Sequence, residues 1–176
     1  MPPCRLRAAA WRPIWRLGRT AGPCPGGGDD LNGNPNIRSA VHLFLVREGR
    51  LLLSRRSNTG YEDGKLSVVA GKLDGGEQVV EAARREAEEE AGLRLRTEDI
   101  KIVGVMHRRT SFDEWIDFFV EVERWEGEPV NAEPHKCSEL RWCGLDELPD
   151  DVVVYMRRAL GNYRNGVWFD SYGWAA

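Results

Sequence analysis

Several things are missing from this chain, and each absence narrows what it can be. No apolar run approaches the ~20 residues that a membrane-crossing helix needs. The four cysteines, Cys4, Cys24, Cys137 and Cys143, form no C-x-x-C pair, so neither a disulfide framework nor a zinc site is expected. Free thiols and a cytoplasmic location are the default for such a chain. The three histidines, His42, His107 and His135, show no ligand spacing and read as structural or exposed. Acid is absent from residues 1–28, which carry five arginines, and serine is absent before Ser39. The missing serine and the scattered prolines count against a transit peptide, and no apolar stretch follows the early arginines as in a secretory signal. No internal repeat is visible.

What remains is a 176-residue chain with 41% hydrophobic and 30% charged residues, enough for one domain with a real core. Its net charge is −3. Setting aside the five early arginines leaves −8 on residues 29–176. An acidic body disfavours a nucleic-acid polymer as partner but accepts a small phosphate ligand brought with metal ions. Residues 1–36 hold six of the nine prolines and the run Gly26-Gly27-Gly28. Such a segment buries too little surface to offset its ordering entropy, so it is expected to be a disordered tail or translated sequence upstream of the true start.

From residue 37 the chain becomes periodic. Ile37 to Val46 alternates as a strand, Arg47 to Arg50 reads as a hairpin turn, and Leu51 to Leu53 as the returning strand. Residues 57–65 read as a polar loop, and Leu66 to Ala70 as one short buried strand. Ile100 to His107, Trp115 to Val122 and Leu140 to Cys143 read as further strands. A final helix is expected through Leu160, capped by Asp150. The segment 161–176, rich in glycine and aromatics, reads as a C-terminal tail outside the domain of residues 37–160. This mixture of strands with few helices is an α+β pattern with a mixed sheet.

The stretch from Gly71 to Leu93 stands apart. Three glycines in six residues, Gly71 to Gly76, predict a turn. Gln78 to Ala91 holds neither Gly nor Pro and predicts a helix. On it Glu86, Glu89 and Glu90 fall at i, i+3 and i+4, on one face. Val80, Ala83, Ala87 and Ala91 form an adjacent stripe able to pack close to a sheet. Stacked like charges weaken a bare helix by some tenths of a kcal/mol. A solvated acidic face is the bland reading. A glycine turn set against clustered carboxylates is also an oxygen-lined site for a hard divalent cation, which takes one or two carboxylates plus substrate phosphate oxygens.

These residues carry a resemblance. The pattern G-x5-E-x7-R-E-U-x-E-E-x-G-U, with U a bulky apolar residue, is met by Gly71, Glu77, Arg85, Glu86, Glu89, Glu90, Gly92 and Leu93, with the small Ala87 at the first U. Seven fixed identities at fixed offsets arise by chance in roughly one chain per million. The chain resembles the Nudix hydrolases over about residues 37–160. The resemblance implies a Nudix α/β/α sandwich with the box helix against a mixed sheet, and a Mg²⁺-dependent attack of water on a phosphoanhydride, with Mn²⁺ as a possible substitute. It implies Glu86, Glu89 and Glu90 as metal ligands, with a carbonyl from Ala70 or Gly71, and Glu89 and Glu90 as catalytic acids beside Arg85. Arg85 and Glu77 are implied as a pair that fixes the loop against the helix. If buried, breaking such a pair costs about 3–5 kcal/mol; on the surface the pair is worth about 0–1 kcal/mol.

A further carboxylate often comes from downstream in this family. Asp113, Glu114 and Asp117 are candidates, with Glu114 preferred and Glu133 weaker. Each is equally readable as an ordinary surface acid. Arg55 and Arg56, at a strand end, suit phosphate through their fork of donors. Trp142 is the aromatic proposed for base contact, with Trp115, Phe44 and Phe118 as others, although strand aromatics are more often core. One departure stands at the box entry: Val69-Ala70-Gly71 replaces the usual Pro-Gly-Gly, and Ala70 does not take positive φ as freely as glycine.

The expected substrate is small, a nucleotide or another diphosphate. ADP-ribose-cleaving members tend to carry a proline where this chain has Arg108. Diadenosine-polyphosphate members tend to carry a tyrosine where it has Arg109, Thr110 and Ser111. Elimination leaves MutT-like hydrolysis of nucleoside triphosphates, oxidised ones (8-oxo-dGTP type) included, to the monophosphate and pyrophosphate. The alternatives are a pathway-specific diphosphatase on a nucleotide sugar or non-nucleotide diphosphate, and a nucleotide sensor without turnover. Prenyl diphosphate isomerisation lacks context at Cys137 or Cys143. Monomer and homodimer are both open.

Overall fold

The structure, a computed structural model, describes residues 37–111 and 113–174. The disordered tail expected over residues 1–36 lies outside them. Among the described residues eight strands and two α-helices follow one another: β1 (Ile37–Arg47), β2 (Arg50–Arg56), β3 (Leu66–Ser67), β4 (Val69–Lys72), α1 (Val79–Ala91), β5 (Ile100–Arg109), β6 (Glu114–Val122), β7 (Cys137–Gly144), α2 (Val154–Arg164) and β8 (Phe169–Tyr172).

β1 is the middle of the molecule. It pairs antiparallel with β4 along one edge and parallel with β6 along the other. β6 pairs antiparallel with β5, and β5 runs parallel to β8. β2 leaves the β1 hairpin and forms a smaller antiparallel layer with β3 and β7. Both sheet faces are covered, so β1 is buried continuously from Ala40 to Leu45. Val41, Leu43, Leu45, Val120 and Val122 meet Ala82, Ala83, Ala87 and Ala91 of α1. Phe44, Met106 and Phe119 meet Met156, Ala159 and Leu160 of α2. This is the α/β/α sandwich with a mixed sheet. Among the described residues no helix is long and apolar enough to cross a membrane.

Four details differ from the sequence reading. The strand at 66–70 is two strands: Leu66–Ser67 pairs with β2, and the chain crosses at Val68 so that Val69–Lys72 pairs with β1. Ala82 takes the buried place expected of Val80 in the small-residue stripe of α1. Helix α2 begins after Val153, not at Asp150. Val152 and Val153 are buried instead, with Val153 N–H bonded to Leu66 O at 2.9 Å. Finally, the segment set apart as a tail continues α2 to Arg164 and then supplies β8, tied down by Asp170, which accepts from Arg158 Nε at 2.6 Å and Asn162 Nδ2 at 2.7 Å. A parallel edge strand of four residues between Gly166 and Gly173 is too short to show a period.

Candidate functional site

Helix α1 runs from β4 back across the sheet. Gln78 N–H donates to Glu81 Oε2 at 2.7 Å and opens the helix. Gly92 closes it at φ 66°, with its N–H on Glu88 O and that of Leu93 on Ala87 O, a left-handed cap suited to glycine.

The box entry is strand rather than turn. Ala70 and Gly71 lie in β4 opposite His42 and Val41, and neither has positive φ. The alanine at the entry is therefore compatible with the backbone. Gly71 is needed for another reason: a Cβ there would stand 1.7 Å from Glu86 Oε1. The missing side chain makes room for a carboxylate.

Arg85 braces this arrangement. It grips Glu77 with two nitrogens, Nη2 at 2.8 Å and Nε at 3.2 Å, and donates to Lys72 O at 3.0 Å, Glu86 Oε1 at 2.6 Å and Glu89 Oε2 at 3.2 Å. The Arg85 hydrogen bonds hold Glu77 below the usual carboxylate range, assisted by Asp74 N–H. Glu86 is buried; burial pushes its carboxyl up, against the pull of Arg85. Glu90 accepts from Ala70 N–H at 3.1 Å, yet burial pushes it up to about 7, with Glu86 and Glu133 adding to the rise. Glu89 stays exposed.

Glu133 joins the box acids because the loop after β6 lies along the end of α1. Val130 N–H bonds Ala91 O and Ala132 N–H bonds Glu90 O. Glu133 carries Lys136 at 2.8 Å. Beside them opens a cleft lined by Ser54, Arg56, Thr59, Ala70, Glu90, Glu133 and Lys136. Glu114, the preferred downstream acid, is not brought here. It pairs with Ile37 at the far end of β1, four strand positions from Val41 opposite Gly71, or about 13 Å, and holds His107 at 2.7 Å. Gly127, Pro129 and Pro134 were the readable hint that the Glu133 loop has a set path.

The two arginines separate. Arg55 spends its donors on Glu139, Gly64 O and Asp151. Arg56 holds Tyr61 O and Thr59 Oγ1 and lines the cleft. Trp142 stacks on Trp125 at 6.2 Å with Arg47 over it, away from the acids. Phe44 is core.

Among the described residues no three of His, Cys, Asp and Glu already stand close enough to share one ion. The donor set nevertheless suits a hard divalent cation. All the donors are oxygens, two of the carboxylates are raised by burial, and the Glu86 carboxylate fills the space over Gly71.

Comparison with known proteins agrees with this geometry. The NUDIX domain family matches residues 36–163. An oxidized purine nucleoside triphosphate hydrolase of Danio rerio is 32% identical over 134 residues, 69% of this chain and 83% of that protein. A MutT NUDIX hydrolase from Burkholderia pseudomallei superposes with a TM-score of 0.67 at 30% identity, covering 72% of this chain and 97% of that one. The MutT protein of Methanosarcina mazei shares the fold with a TM-score of 0.66 at 20% identity, over 74% of this chain and 95% of that one. With the box residues in register and the matched family spanning most of the described chain, this protein belongs to the Nudix family of hydrolases, enzymes acting on phosphoanhydride bonds.

Proposed function

We propose that this chain is a divalent-metal-dependent pyrophosphohydrolase of nucleoside triphosphates, oxidised purine nucleotides among them, releasing the monophosphate and pyrophosphate. The observation that carries the reading is the Glu86 carboxylate seated over Gly71 beside Glu90 on Ala70. The Danio rerio relative supports the substrate class. Glu86, Glu90 and Glu89, with a β4 carbonyl from Ala70 or Gly71, would hold Mg²⁺ or Mn²⁺. When bound, the ion neutralises the phosphate oxygens and so lowers the cost of charge at phosphorus.

The chain's own groups do the rest. Arg85 fixes Glu86 and Glu89 relative to β4. Arg56 and Lys136 stand at the cleft wall, placed to meet phosphate oxygens. Water adds to phosphorus, the bridging P–O bond breaks toward pyrophosphate, and the water proton passes to a box carboxylate. Glu133 takes the place foreseen for Glu114 as the acid recruited from downstream.

The test is product release from canonical and oxidised triphosphates, nucleotide sugars and prenyl diphosphates, with Mg²⁺ and with chelator. Metal-dependent monophosphate and pyrophosphate from triphosphates is expected. Turnover confined to a nucleotide sugar or a prenyl diphosphate, or tight binding without turnover, would sink the reading.

A further inference from the structure

The face of the sheet under α2 holds a charged cluster that phosphate cleavage does not use. Asp117 is fully buried in β6. It accepts from Arg108 Nε at 2.5 Å and Nη2 at 3.1 Å, and lies 3.1 Å from His42 Nε2. Arg108 is itself only 6% exposed. Desolvating two charges costs several kcal/mol each, and well-packed apolar residues often stabilise a core as well or better. Packing alone gives no reason for the pair.

Its geometry does. The guanidinium lies 4.3 Å over the Tyr155 ring and 5.3 Å from that of Trp115, so its plane is set by aromatic contacts. Asp117 takes Nε and Nη2. The third nitrogen, Nη1, makes no hydrogen bond among the described residues. Arg108 lines a cleft whose other walls include Tyr61, Val153, Tyr155 and Tyr172, with Glu62 and Arg109 also on it. This cleft adjoins the acidic one across the 57–65 loop. Thr59 borders the acidic cleft and Tyr61 the other, and the Arg56 guanidinium sits 5.6 Å over the Tyr61 ring.

The walls decide the ligand. Aromatic and apolar surfaces suit a planar ring. Asp117 cancels the charge of Arg108, and Glu62 stands against Arg109 on the same walls, so the cleft offers a directed donor and little net pull on an anion. A ring carbonyl in the plane of the guanidinium accepts from it. A ring amino group sets donor against donor and leaves a nearly buried N–H unpaired. We propose that Arg108, held by Asp117, is a specificity-determining residue that admits keto bases, such as 6-oxopurines, and rejects amino bases such as adenine. The inference rests on the nucleotide reading above and names the base for it.

The test uses the full chain and two pairs of ligands that differ at purine position six. In calorimetry IMP, which has no phosphoanhydride to cleave, should bind at least about tenfold more tightly than AMP, the scale of one unmet hydrogen bond. In turnover ITP should exceed ATP in kcat/KM by a similar factor. Arg108→Lys should bring both ratios to within about twofold, since a point charge lacks the planar fork. Should that variant fold poorly, Arg108→Met with Asp117→Leu removes both charges together and should give the same loss of ratio. Equal binding of IMP and AMP, no binding of either at millimolar concentration, or a ratio that survives in the folded variants overturns the assignment. An IMP preference without turnover of any nucleotide overturns the hydrolase reading and upholds the role of Arg108. Turnover without a base preference does the reverse.

Discussion

The two faces of the sheet handle charge in opposite ways. Under α1, Glu86, Glu89 and Glu90 crowd like charges along one helix edge, backed by alanines that let the helix sit close. Burial pushes the carboxyls of Glu86 and Glu90 up, while Glu89 stays exposed. Under α2, Arg108 and Asp117 are both deeply buried and cancel each other. Burial pushes Asp117 up, but its bonds to His42 and Arg108 outweigh it and hold the carboxyl below its ordinary value. The first arrangement sets like charges side by side, with Arg85 as their opposing cation. The second is complete within the protein and has donors to spare on one side only. One face gathers like charge along a helix edge, and the other buries an opposed pair.

Substitutions should split along that line. The largest effect belongs to Glu90→Gln, which should lower turnover by about 10²–10⁴ fold, the range for losing a proton-accepting carboxylate, while circular dichroism and the unfolding midpoint stay near wild type. Near-normal activity would remove Glu90 from the site. Asp117→Ala should act on the fold instead. It strands a buried guanidinium at a cost of about 3–5 kcal/mol, read as a lower urea midpoint; unchanged stability would mean that the pair is not confined as described.

The smallest effect is a pH dependence of the metal-free protein. Glu90 is held up at about 7 from 4.5, so between those values the folded state keeps a proton that the unfolded chain has lost. Its contribution to stability is full below pH 4.5 and disappears as pH rises through about 7. The thermal midpoint in chelator should fall across that window more steeply than in Glu90→Gln, and Mg²⁺ should flatten the difference. Parallel profiles for the two proteins would contradict it.

How much of this could be read from the residues follows from where they lie in the chain. The α1 face comes almost entirely from residues 70–90, so its periodicity and spacing were visible together. Even there the reason for Gly71 was hidden: the sequence suggests a turn, and the structure shows a strand with a carboxylate above it. The α2 face draws on Tyr61, Arg108, Asp117 and Tyr155, from four separate elements. No local pattern links them, and Arg108 was visible only as the absence of a family proline. Glu133 stands beside the box acids and Glu114 does not, because a loop path, set by backbone bonds to Ala91 O and Glu90 O, carries no side-chain signature. Arg55 and Arg56 look alike in sequence; opposite side-chain directions along β2 send one to Glu139 and Asp151 and the other to the cleft.

The parallel pairing of β1 with β6 has a consequence for how the chain comes to be folded. Ile37 lies opposite Glu114, so the first strand made cannot gain that neighbour until most of the domain has been synthesised. By then β1, β4 and α1 can already associate, through contacts that are close in sequence. Contacts of long separation must still close a large loop before they return any stability, and they slow folding accordingly. Until β6 arrives, one side of β1 is an open strand edge rich in Leu, Val and Phe, the kind of edge that invites pairing with a stranger. The same central strand that carries both faces of the finished enzyme is thus the segment most in need of protection on the ribosome.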